Sequence, residues 1–201
     1  ILHRLVGSEM CIRDRFGREN GLPINEIFCA SNVNDVLTRF ISSGKLEPKE
    51  TIPSVAPSMD IQIPSSLERL IYNLEGEASS FYDQLQSEKI ANLTEESTVK
   101  LQNIFSSLSF DDEMILKEIE LFYKNYGWII DPHTATALSS STSFSSNLPV
   151  VGVATASPEK FSDVISKIID EFTVENEKNE EKFLVQKANS SLVENTIKEH
   201  L

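Results

Sequence analysis

The sequence predicts an α/β protein with a partial parallel sheet flanked by helices. Residues 149–154, Pro149-Val150-Val151-Gly152-Val153-Ala154, form an apolar run of strand length, after which Pro158 restarts the chain as a helix. Residues 24–30 form a second such run, with Ile27, Phe28 and Cys29 at its centre, directly ahead of a helical pattern. Between the two runs lie amphipathic stretches separated by polar loops, the alternation from which α/β domains are built.

The elements follow in order. Residues 16–22 read as the end of a helix closed by Gly21 and stopped by Pro23. After the strand at 24–30, Asn34 or Asp35 caps a helix that reaches Ile41 or Ser42, with Val36, Leu37, Phe40 and Ile41 on one face and Gly44 at its end. From 47 to 64, Pro48, Pro53, Pro57 and Pro64 exclude a regular helix and predict a long loop over the sheet edge. Residues 65–74 predict a helix with Ser66 as N-cap and Leu67, Leu70, Ile71 and Leu74 on its inner face. Stretches at 77–89 and 94–107 predict two more helices, and a longer one runs from Asp111 or Asp112 to Tyr126 with Ile115, Ile119, Phe122 and Tyr123 as its stripe. Residues 65–126 thus read as a helical excursion. Gly127 ends it, and 128–130 enter extended toward Asp131. The serine-rich tract at 139–146 turns the chain back toward the strand at 149. Residues 161–172 predict an amphipathic helix, 173–182 a charged linker and 190–200 a final helix.

Two hundred and one residues with 40% hydrophobic content suit one domain or slightly more. A net charge of −13 argues against a nucleic-acid or anionic-membrane partner, and no run has the length of a membrane span. Cys11 and Cys29 are the only cysteines and have no framework spacing, which argues against a disulfide scaffold or a zinc ribbon and fits a reducing, cytoplasmic compartment. No metal site is predicted.

Thr155 follows the apolar run, which places it at the carboxyl end of a buried strand, where open α/β sheets bind ligands. Its structural alternative is to cap the helix entered through Ser157-Pro158. Asp131 and His133, two apart beside a serine-rich tract, invite a hydrolase triad, but no small-residue nucleophile elbow accompanies them. Asp131 reads instead as an N-cap, with Pro132 in the first turn. Asn32, Asn34 and Asp35 stand at the carboxyl end of the strand at 24–30, where a capping role comes before ligand contact. Ser58-Met59-Asp60 either packs beneath a ligand or pairs with Arg39 or Arg69. Cys29 reads as a small buried hydrophobe.

Asp131-Pro132-His133-Thr134-Ala135-Thr136-Ala137, followed by the run at 149–154 and Thr155-Ala156-Ser157-Pro158-Glu159-Lys160-Phe161, resembles the carboxyl-terminal signature of the threonine synthase family, pyridoxal-phosphate enzymes of the tryptophan-synthase-β-like fold. Ala30-Ser31-Asn32-Val33-Asn34-Asp35-Val36-Leu37-Thr38-Arg39-Phe40 and then Pro57-Ser58-Met59-Asp60-Ile61 also resemble that family, in the right order. The resemblance covers residues 16–201. It departs at Ser157, often histidine in relatives, and is loose at the tail.

The resemblance implies the carboxyl-terminal part of a fold-type-II enzyme with a helical insertion, pyridoxal 5'-phosphate as cofactor, and O-phospho-L-homoserine as the small-molecule substrate that, with water, gives L-threonine and phosphate. It implies that the Thr155 hydroxyl meets the pyridine nitrogen, and that Asp131, His133 and Thr134, with Asn32 and Asn34, are pocket candidates. It implies no catalytic residue here. The Schiff-base lysine of such enzymes stands in a Phe-Lys-Asp setting, and no lysine from Lys45 to Lys198 has those neighbours; the Gly-Asn-rich phosphate loop is missing as well. Leu5-Val6-Gly7-Ser8-Glu9-Met10-Cys11-Ile12-Arg13-Asp14-Arg15 resembles one reading frame of a transposase adapter used in short-read DNA libraries. On that reading residues 1–15 are not native, the chain is truncated at its start, and the fragment alone is inactive. Two other readings stand beside it: another fold-type-II β-replacement or elimination enzyme, and a non-catalytic α/β binding module that starts near Phe16.

Overall fold

The computed structural model describes residues 2–6, 8–140, 149–154 and 156–172. Strands β1 (Leu2–Val6), β2 (Ile24–Ser31), β5 (Phe105–Ser109) and β6 (Val150–Gly152) form one parallel sheet in the order β5-β2-β1-β6. Helices α1 (Ser8–Glu19), α2 (Val36–Ser43), α3 (Leu67–Glu75), α4 (Ser79–Glu88), α5 (Glu95–Gln102), α6 (Asp112–Tyr126), α7 (Pro132–Ser139) and the short α8 (Ser162–Ile165) flank it. The α/β class with a parallel sheet is therefore the one the sequence predicts. Among the described residues no helix is long and apolar enough to cross a membrane.

β2 organises the interior because its side chains alternate between two cores. Ile27 and Cys29 face a cluster with Phe40 of α2 and Leu67, Leu70 and Ile71 of α3. Phe28 and Ala30 face the other cluster, with Ile115 and Ile119 of α6 and Ala135 and Ala137 of α7. Cys29 is buried, as expected, and disulfide-bonded, which the spacing did not predict.

Residues 105–109 correct the reading of 94–107 as helix. α5 stops at Gln102, and Phe105–Ser109 pair with β2 from Ile27↔Phe105 to Ser31↔Ser109. Leu101, Ile104 and Phe105 have helical spacing, but Ser106, Ser107 and Ser109 are weak helix formers. Their hydroxyls bind across the sheet instead: Ser106 donates to Glu26 Oε1 (2.5 Å) and Ser107 to the carbonyl of Cys29 (2.5 Å). The 65–126 segment is therefore not a wholly helical, peripheral excursion, since it supplies β5 and, through α3, part of the main core. It also holds β4 (Ala91–Asn92), which pairs antiparallel with β3 (Lys45–Leu46).

Three further expectations change. β6 is three residues long and lies at the sheet edge with Val151 37% exposed, not buried as the apolar run implied. Residues 161–172 do not form one helix: a 3₁₀ turn, Pro158–Phe161, leads into the single turn of α8. The β-branched and short polar residues of Ser162-Asp163-Val164-Ile165-Ser166 favour helix weakly, and burial of Ile165 and Ile169 holds the segment instead. Asp35 occupies the N-cap position of α2 without capping it, because its carboxylate pairs with Arg39 Nε at 2.8 Å. Ser66 likewise precedes α3 with no cap bond. The linker at 173–182, the helix at 190–200 and residues 141–146 of the serine tract lie outside the described residues.

The residues read as adapter translation form interior strand β1, between β2 and β6, and the first part of α1. The expected stops Gly21, Gly44 and Gly127 are found at positive φ, and Gly76, not anticipated, ends α3 in the same conformation. Gly44 has a second constraint: a Cβ there would lie 2.1 Å from Thr98 Oγ1 of α5, whereas at Gly76 it would meet nothing. Gly76→Ala is expected to cost about 1–2 kcal/mol for the left-handed conformation alone. Gly44→Ala adds overpacking and is expected to cost roughly 2–5 kcal/mol. Urea unfolding of both variants checks the difference, and equal midpoints would contradict the close α2–α5 approach.

Candidate functional site

All strands of the main sheet run in the same direction, so their carboxyl ends share one rim. At the end of β2 the chain must satisfy two buried amide side chains, Asn32 and Asn34. The Asn32 Oδ1 accepts from the backbone N–H of Asn34 at 2.9 Å, an Asx turn that bends the chain into α2. Its Nδ2 donates to Ser54 Oγ and Asp60 Oδ1, both at 2.7 Å. Asn34 exchanges two bonds with the backbone of Ile52, at 2.8 and 2.9 Å, and donates to Asp60 Oδ1 at 2.9 Å. Ser54 adds its hydroxyl (2.7 Å) and its N–H (3.0 Å) to the same Asp60 carboxylate.

The proline-rich loop is thus folded around Asp60. Asp60 does not pair with Arg39 or Arg69 as one reading of the sequence held. Arg39 is taken by Asp35 and by the carbonyl of Glu47 at 2.8 Å.

The second half of the rim is the start of α7. Asp131, 1% exposed, is its N-cap, as the sequence predicts. Oδ1 accepts from the backbone N–H groups of His133 (2.9 Å) and Thr134 (3.3 Å), and Oδ2 accepts the Thr134 hydroxyl. His133 Nδ1 lies 3.1 Å from Oδ1. Burial pushes the Asp131 carboxyl up, but hydrogen bonds from the His133 and Thr134 side chains and backbones outweigh it and leave the pKa below the ordinary value. The small residues Ala135 and Ala137 then let α7 lie close on β2, and at its far end a Cβ on Gly152 of β6 would come within 2.7 Å of Leu138 Cδ2.

The structure brings the two halves together. The Ser58 N–H of the loop donates to His133 Nε2 at 3.1 Å, and Phe161, in the turn that follows β6, packs on the imidazole with ring centroids 4.8 Å apart. Thr155 lies outside the described residues. Sequence reasoning missed Asp60 as a hub, Ser54 and Phe161, whose contacts to Asn32 and His133 span 22 to 28 residues of sequence. The polar groups of Asn32, Asn34, Asp131 and His133 bind one another and the loop. A surface cleft of about 540 Å³ between Pro48, Ile63, Tyr82, Leu85, Gln86 and Lys89 contains none of them.

No family model matches the chain. A threonine synthase of Pseudomonas aeruginosa is 31% identical over 156 residues, which are 75% of this chain and 33% of that enzyme. The chain is homologous to a part of threonine synthase. A pyridoxal-phosphate-bound threonine synthase from Brucella melitensis superposes with a TM-score of 0.83 and 25% identity over 99% of this chain and 46% of its own. Yeast threonine synthase has the same fold, with a TM-score of 0.80 and 23% identity over 98% and 47%. The chain therefore spans between a third and a half of the length of these relatives.

Asp131→Ala should remove the cap and leave the His133 and Thr134 donors buried without an acceptor, at a cost of roughly 3–5 kcal/mol. Because the folded carboxyl titrates below its unfolded value, its contribution is complete above the unfolded pKa of about 3.9 and is lost as pH falls through the lower folded one. Urea midpoints measured from neutral pH into that range should fall more steeply for the wild type than for Asp131→Asn.

Proposed function

We propose that this chain is part of a pyridoxal-phosphate-dependent threonine synthase, the enzyme that converts O-phospho-L-homoserine and water to L-threonine and phosphate in threonine biosynthesis. One observation carries the reading: 31% identity to a threonine synthase over three quarters of the chain. The parallel rim supports it, since ligands of open α/β sheets bind outside the carboxyl ends of the strands.

One residue type in the sequence suits the cofactor. Thr155 comes three residues after β6 in the sequence, and a neutral hydroxyl suits the pyridine nitrogen, which a carboxylate would hold protonated. When bound, the cofactor supplies the electron sink for a carbanion formed on the substrate. The described rim residues act differently. Asn32, Asn34 and Asp60 fix the loop over the end of β2, and Asp131 with Thr134 fixes the start of α7, all by hydrogen bonds among themselves. None of them moves a proton of the reaction.

With no lysine in the Phe-Lys-Asp setting, the chain alone is inactive. The same reading treats residues 1–15 as adapter translation and puts the protein in the cytoplasm. Purified chain given pyridoxal phosphate and O-phospho-L-homoserine should release no phosphate. The chain from Phe16 onward, joined to the sequence that precedes it in its genome, should release phosphate and threonine in equal amounts. Phosphate release by the short chain would overturn its inactivity. A folded, cofactor-loaded long chain that releases neither product would overturn the enzyme assignment.

A further inference from the structure

The imidazole of His133 is 6% exposed and touches three separate segments of the chain. Nδ1 meets Asp131 Oδ1 at 3.1 Å, Nε2 meets the Ser58 N–H at 3.1 Å, and the ring face meets Phe161. A backbone N–H can only donate, so Nε2 must carry the lone pair, and in the neutral ring the proton then sits on Nδ1 and points at the carboxylate. The opposite tautomer would set two N–H groups against each other and a lone pair against Asp131. Hydrogen bonds that hold the Asp131 carboxyl ionised keep the acceptor in place.

Ser58 belongs to the 3₁₀ turn Pro57–Met59, which runs directly into Asp60 and so into the clasp on Asn32 and Asn34. Phe161 closes the turn that begins six residues after Gly152 of β6. One ring therefore joins the end of β2, the start of α7 and the exit of β6.

We propose that His133 is a positioning residue, fixed as the neutral Nδ1–H tautomer, which locks the Ser58 turn and the chain leaving β6 onto the start of α7. The site that this lock shapes rests on the function proposed above, whereas the tautomer and the lock can be measured without any activity.

Long-range nitrogen–proton NMR of the full chain at neutral pH should show Nε2 unprotonated and Nδ1 protonated at His133. His133→Asn keeps a donor near Nδ1 and loses the acceptor at Nε2. It should speed hydrogen exchange at the Ser58 amide roughly fivefold, while the Ala135 amide, bonded to the Asp131 carbonyl at 2.9 Å, keeps its protection. His133→Gln, whose carbonyl oxygen reaches the Nε2 position, should restore most of the Ser58 protection. An Nε2–H tautomer in the wild type overturns the proposal. So does a Ser58 amide that exchanges equally fast in all three proteins, or one that changes only together with Ala135, since general loosening marks a packing role. Failure of the long chain to make threonine, with the tautomer as stated, sinks the enzyme assignment and leaves the lock standing; the reverse result sinks the lock alone.

Discussion

The carboxylate of Asp60 is the contact on which the rim depends. β2 delivers Asn32 to a position of 0% exposure and Asn34 to 3%, and an amide buried there without partners would cost several kcal/mol. No strand can supply those partners, because the ladder ends at Ser31. The chain solves the problem by bringing residues 52–62 back over the strand end, where Asp60 accepts from both asparagines and from Ser54. Once that loop is fixed, Ser58 is presented to His133, and His133 to Phe161. The geometry of the rim is thus set by hydrogen bonding, while the two apolar clusters set the position of the helices on either face.

Much of this was legible in the sequence where the signal is local. The run at 24–30, the glycine stops after α2 and α6, and the caps Asp111 and Asp131 each depend on neighbours within four residues, and each is found where it was read. β5 was not legible. Its two apolar residues, Phe105 and Leu108, are three apart, a spacing that a helix shares, and its serines find their acceptors on β2, about 80 residues away. The β3–β4 ladder is only two residues long on each side and leaves no periodic trace. Asp60 escaped for the same reason as β5: a single acidic residue in a proline-rich loop gives no hint that two asparagines nearly thirty positions earlier are its donors.

The motifs that carry the family resemblance have a physical reading of their own. Asn32, Asn34 and Asp60 form one hydrogen-bonded set and Asp131 and His133 another, and the Ser58-Met59-Asp60 backbone joins the two. Such a set ties short polar side chains together in one arrangement, and removal of any member strands its partners in a dry environment. A sequence signature near a binding cleft can therefore reflect the framework that shapes the cleft, and not only the groups that touch what enters it.

The packing of α7 has a consequence for how the chain can be cut. All residues from Pro132 to Ala137 are buried, and the helix lies against β2 through alanines. A protease needs several consecutive residues drawn out in extended form, and α7 offers none without lifting off the sheet. The exposed stretch from Lys124 to Trp128 immediately before it requires no such movement. Limited digestion of the folded chain would thus cut the α6–α7 corner more readily than the helix beyond it.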